Sequence, residues 1–154
     1  MLSRIRDYFK AYGYWKEPFL NFEFLGRIDV KLVHETIFLK DYEINSSYYL
    51  LGKNVRDKTE AKRVFKNLMK YWKRILSLPN DHYLTCIVVL FSSKEELPID
   101  NFYEEKFLLL GIRGKIVLIG GIIRENTLIF PKNIKSREAR KFLNALKASI
   151  ELSS

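Results

Sequence analysis

In the stretch GRIDVKLVHETIFLKDYEINSS, residues 26–47, Asp29 and Glu43 stand fourteen positions apart, each inside a run of polar and apolar residues in alternation. Strand side chains repeat every two residues, so Arg27, Asp29 and Lys31 share one side of the first run, and Asp41, Glu43 and Asn45 one side of the second. If the two strands pair so that Asp29 and Glu43 lie across or diagonally, the carboxylates meet at a separation that like charges tolerate only with a cation between them. Mg²⁺ or Mn²⁺ suits such a pair, since a hard ion takes carboxylate oxygens, waters and substrate phosphate together. A metal-activated water attacking a phosphodiester is the chemistry this would support. Each acid also has an ordinary reading: Asp29 beside Arg27 or Lys31, and Glu43 beside Lys40 or Lys53, make surface pairs of little energetic value.

The second concentration of chemistry is basic. DKTEAKRVFKNLMKYWKRILSL places Ala61, Phe65, Leu68, Met69, Trp72 and Ile75 at helical spacing, which predicts an amphipathic helix behind Asp57. Its other side carries Lys62, Lys66, Lys70 and Lys73 at three- and four-residue steps, flanked by Arg63 and Arg74. Only Asp57 and Glu60, at its start, offer acidic partners. This ridge is the predicted contact for nucleic-acid phosphates, and the excess of 27 Lys and Arg over 18 Asp and Glu, a net charge of +9, points to the same class of polyanionic partner.

These residues need a sheet and helices to hold them. Leu2, Ile5, Phe9 and Tyr12 predict a short helix over 2–12 ending at Gly13, followed by an extended entry at Pro18. Strands are expected over 22–33 and 36–46, separated by a break at His34 and Glu35. After the basic helix, the apolar run from Tyr83 to Phe91 suits a central buried strand. A polar connection over 92–105 leads to FLLLGIRGKIVLIGGII and TLIFP, two or three strands turning at Gly111, Gly114 and Gly120-Gly121, and then to a closing helix from Ser136. Asp81-His82 lacks a third partner for acid–base chemistry, and the glycine-rich segment has neither P-loop nor dinucleotide spacing. The expected class is α/β (α+β), a mixed central sheet flanked by helices in one domain spanning 1–154.

The order of elements and the two acidic motifs resemble a known pattern. GRIDV, a short interval, and an apolar-flanked E-x-polar-S-S leading toward a helix look like the core of the restriction-endonuclease-like, or PD-(D/E)xK, nuclease superfamily. The resemblance covers roughly residues 1–91. It implies a helix-strand-strand-strand-helix-strand core, Asp29 and Glu43 as Mg²⁺ (or Mn²⁺) ligands, Glu17 of WKEP as an auxiliary acid, and DNA ahead of RNA as the target. The family's habits, with the aromatic surplus, suggest a homodimer. Asn45 stands where the family has lysine, the group that orients or activates the attacking water; Lys31, Lys53 and Arg56 are the nearby cations that could replace it. Two expectations follow: a metal-dependent DNA nuclease, or a non-catalytic nucleic-acid-binding or assembly protein on a degenerate scaffold of the same kind.

Composition bounds both. An apolar content of 47%, with 14% aromatic, supports a full core and excludes a disordered tail. The single cysteine, Cys86, lies in an apolar run and suits a reducing cytoplasm. No apolar stretch reaches the roughly 18 residues of a membrane span, and none resembles a signal peptide. Abundant Lys, Glu, Ile and Tyr match a thermophile's composition.

Overall fold

A computed structural model of the protein describes residues 1–34, 42–76, 82–98, 102–110 and 112–151. The chain is an α+β fold: one mixed seven-stranded sheet with helices on both faces. Helix α1 spans Leu2–Tyr12, followed by strands β1 (Tyr14–Lys16), β2 (Phe24–His34) and β3 (Tyr42–Asn54), helix α2 (Lys58–Ile75) and strand β4 (His82–Ser92). Strands β5 (Tyr103–Leu110), β6 (Ile112–Arg124) and β7 (Thr127–Ile129) and helix α3 (Arg137–Glu151) complete it. The sheet runs β1-β2-β3-β4-β6-β5, with β7 on β6. Pairing is antiparallel except for β3·β4 and β4·β6. A parallel pair needs a crossover, and α2 supplies the one between β3 and β4.

Two cores follow from strand alternation. Along β4, Ile87, Val89 and Phe91 pack with Phe65, Leu68 and Trp72 of α2. Cys86, Val88 and Leu90 pack on the other face with Ile5 and Phe9 of α1 and Phe142, Leu143 and Leu146 of α3. Both faces of β4 are buried, which is why its sequence shows no polar alternation. Caps fix the helix starts. The Asp57 side chain accepts from the Glu60 amide at 2.9 Å to begin α2, and the Ser136 hydroxyl accepts from the Ala139 amide at 3.2 Å to begin α3.

The structure corrects two boundaries. The strand expected over 36–46 continues to Asn54 as β3, and residues 36–41 of that expectation lie outside the described residues. The reason lies in YYLL: Leu50 is buried against α1 and α3 and Leu51 against α2, so the segment is apolar on both sides and lacks the two-residue signal. Gly114 and Gly120-Gly121 are not turns but lie inside the continuous strand β6. Aromatic rings explain the pair. A side chain at Gly120 would meet the Phe102 side chain at 2.5 Å, and one at Gly121 would meet the Phe130 ring at the same distance. Gly111 lies outside the described residues, and the connection over 92–105 contains the start of β5 at Tyr103.

Burial of tyrosines gives the fold a pH signature. Burial, helped by the Cys86 thiol and the Glu138 carboxylate, pushes the Tyr48 hydroxyl up to about 12, and burial followed by its hydrogen bond to Glu105 does the same to Tyr103. The folded state therefore holds these protons more tightly than the unfolded chain, whose tyrosines titrate near 10. This stabilisation is complete below pH 10 and is lost as pH rises toward 12. Urea melts from pH 9 to 12 should show the midpoint falling only above pH 10, with the tyrosinate absorbance of these two residues rising late or together with unfolding. Full ionisation of all nine tyrosines at pH 10.5 in a folded protein would contradict this burial.

Candidate nucleic-acid interface

On the α2 side of the sheet, Arg27 and Asp29 of β2 and Ser47 and Tyr49 of β3 form a polar cluster. The register sets Asp29 opposite Ser47 and Arg27 opposite Tyr49. Arg27 Nε donates to both Asp29 carboxylate oxygens, at 3.0 and 3.2 Å, and the fully buried Ser47 hydroxyl donates to Asp29 Oδ1. The Arg27 guanidinium also lies 5.2 Å from the centroid of the Tyr49 ring. Burial raises the Tyr49 pKa, and the Arg27 charge opposes the shift. Thr85 of β4 continues the row beside Ser47; its buried hydroxyl has no hydrogen-bond partner among the described residues. Beside the cluster, Tyr14, Phe19, Ile75 and Leu76 wall a shallow cleft of about 430 Å³.

The acids expected to act together are not brought together. Glu43 is opposite Val33 and Asp29 opposite Ser47, four ladder positions apart and on the order of 13 Å along the strand. They pair neither across nor diagonally. An ion bound at about 2.1 Å from each oxygen does not span that gap, so the pair does not fit a shared Mg²⁺. The register is the cause: it sets Ser47, not Glu43, alongside Asp29. Asn45 is opposite Lys31, one diagonal step from Asp29; the side chains of Lys31, Glu43 and Asn45 lie outside what the structure describes. Glu17 is also elsewhere: it pairs with Arg6 of α1 at 2.9 Å and accepts from Trp15 Nε1 at 3.2 Å, on the α1 side of the sheet. Lys53 sits six positions beyond Ser47 on β3, roughly 20 Å away, with its ammonium on the Asn21 carbonyl. Arg56 pairs with Glu60 at 2.8 Å. Among the described residues, no three His, Cys, Asp or Glu side chains gather where a metal ion could be held.

The basic ridge does assemble. Arg63, Lys66, Lys70, Lys73 and Arg74 are exposed and Lys62 is half-buried, while Ala61, Phe65, Leu68 and Trp72 are buried beneath them. At 100° per residue the six cations fill about 120° of the helix surface. None of them makes an ion pair within 4.0 Å among the described residues, and the helix's own Glu60 is engaged by Arg56. Crowding by like charge is direct: Lys58 first, then partial burial and Lys66, hold the Lys62 ammonium below its ordinary pKa. Two residues escaped the sequence reading. Lys58 extends the ridge by a turn, and Tyr71, 37% exposed, has the Lys70 and Arg74 charges 5.3 and 5.2 Å from its ring centroid. The KYWKR run held that signal, since Tyr71 is one position off the buried stripe defined by Trp72.

Compared with known family models, curated proteins and solved structures, the chain matches none. No helix among the described residues is long and apolar enough to cross a membrane.

Proposed function

We propose that the protein binds nucleic acid through the outer face of α2, without hydrolysis at Asp29. The observation that carries this reading is the ridge of six cations, none of which makes an ion pair among the described residues. From Lys62 to Lys73 it extends about 16 Å, a length of duplex axis that presents roughly five phosphates per strand. Neutralising them releases condensed counterions, which supplies the affinity. Tyr71 adds a ring on which an unpaired base could stack at the end of the ridge. Because this recognition is by charge, sequence preference is expected to be weak, and duplex DNA is the first partner to test.

The element order α1-β1-β2-β3-α2-β4, with α2 joining the parallel strands β3 and β4, supports a scaffold of the restriction-endonuclease-like kind. The hydrolytic alternative, in which Asp29 and Glu43 act with Mg²⁺ or Mn²⁺, would use the same scaffold, but element order alone does not carry it. The register favours binding alone: beside Asp29 stand Ser47 and Tyr49 where a second carboxylate and a lysine would be wanted. The test is incubation with plasmid, single-stranded and branched DNA in Mg²⁺ or Mn²⁺, with an EDTA control. The expected result is binding without metal-dependent cleavage, and Asp29→Ala binding as well as the parent or slightly more tightly, because it removes a negative charge. Cleavage that requires the metal and disappears in both Asp29→Ala and Glu43→Ala would replace this reading with the nuclease.

A further inference from the structure

A second basic surface lies on the opposite side of the molecule. Where β7 leads into α3, a cleft of about 270 Å³ is lined by Lys132, Arg140, Asn144 and Lys147 around a floor that includes Phe130 and Leu143. Arg140 and Lys147 are seven residues apart, so they project from the same side of α3 about 10 Å from one another along its axis, with Asn144 between them. Lys132 comes from the other wall. None of the three makes an ion pair among the described residues. The acids of α3 are used elsewhere: Glu151 accepts from the Leu128 amide at 2.8 Å, and Glu138 faces the Ser136 hydroxyl at 3.5 Å. The wall carrying Lys132 is fixed in place. The Phe130 ring seats against Gly121 of β6, where any side chain would meet it at 2.5 Å, and Ile134 is buried in the α1/α3 core. Three cations and an amide line a partly apolar cleft, a combination whose chemistry suits phosphate oxygens.

The two surfaces cannot serve one straight duplex. The buried residues of α2 and α3 pack on opposite faces of the sheet, so the outer faces of these helices point in opposite directions. Two helix layers with a sheet between them separate the surfaces by roughly 30 Å. That is well beyond the Debye length of about 8 Å at physiological salt, so polyanions bound on the two sides barely repel.

We infer that the α3 cleft binds the phosphate backbone of a second nucleic-acid segment, making one molecule a bridge between two duplexes. This inference rests on α2 binding the first. The experiment uses one duplex tethered to beads and a second, labelled duplex in solution, alongside fluorescence anisotropy for binding to a single duplex. The full chain should capture the labelled duplex on the beads. The Lys132→Ala/Arg140→Ala/Lys147→Ala variant should capture at least tenfold less, yet bind a single duplex within about threefold of the parent and sediment identically. Lys132→Arg/Arg140→Lys/Lys147→Arg, which keeps the charges, should restore capture and separate loss of charge from loss of fold. Single-duplex binding without capture, or capture undiminished in the alanine variant, would overturn the bridge while leaving α2 binding intact. Absence of binding to any duplex would overturn both.

Discussion

Replacing Lys62, Lys66 and Lys70 by alanine is expected to weaken duplex binding by about a hundredfold at 0.15 M salt. Each phosphate contact contributes about 0.9 to the slope of log affinity against log salt, so three lost contacts remove nearly three units of slope and about two decades of affinity at that concentration. The fold should not change, because Lys66 and Lys70 are exposed, Lys62 is half-buried with its ammonium crowded by like charge, and alanine is the strongest helix former. Removing that crowding should, if anything, stabilise α2. Fluorescence anisotropy across a salt series, with a thermal melt of the same variant, measures both. Equal affinity before and after the substitution, at every salt concentration, would remove α2 from the binding surface.

The second large effect is on stability. Phe9 of α1 is fully buried, with its ring over Gly26 of β2 so closely that a side chain there would meet the ring at 2.6 Å. It also contacts the rings of Trp15 and Phe142, at centroid distances of 6.2 and 6.5 Å, and so joins β1, the sheet and α3. Phe9→Ala should cost about 3–5 kcal/mol, since the glycine below cannot fill the void and the aromatic neighbours lose a common partner. A domain of this size is typically stable by about 5–15 kcal/mol, so the variant should retain a cooperative but much earlier urea transition. A loss below about 1 kcal/mol would mean that α1 is not packed on the sheet as described. Single-duplex binding should survive wherever the variant is folded, because α2 lies on the other face.

What the sequence could reveal followed from how each element is buried. Helices α1, α2 and α3 bury one stripe each, and a stripe is visible as periodicity: Ile5 and Phe9, the run from Ala61 to Trp72, and Ala139 to Ile150 mark their cores without any knowledge of tertiary structure. The ridge on α2 was legible for the same reason, as the complement of that stripe. Strand β3 was harder, because Tyr49, Leu50 and Leu51 are buried on alternating faces and the letters alone do not say where such a strand begins. Nor do they fix its register with β2. A register shift of four residues separates an Asp29–Glu43 pair from the Asp29–Ser47 pair that forms. The three-residue strand β1 is too short for periodicity, and its pairing with Leu25, Gly26 and Arg27 comes from tertiary context alone. Gly120 and Gly121 signalled a break by composition, but the cause is two phenyl rings contributed by Phe102 and Phe130, eighteen residues before and nine residues after the respective glycines.

The most direct measurement of the central claim is the salt dependence of the unaltered protein binding one duplex. Six cations on α2, each neutralising a phosphate, predict a slope of about −5 for log affinity against log salt between 0.05 and 0.3 M. Affinity should be tight at the low end and nearly gone at the high end. A slope shallower than about −1, or no binding at 0.05 M, would contradict a phosphate-binding role for the ridge.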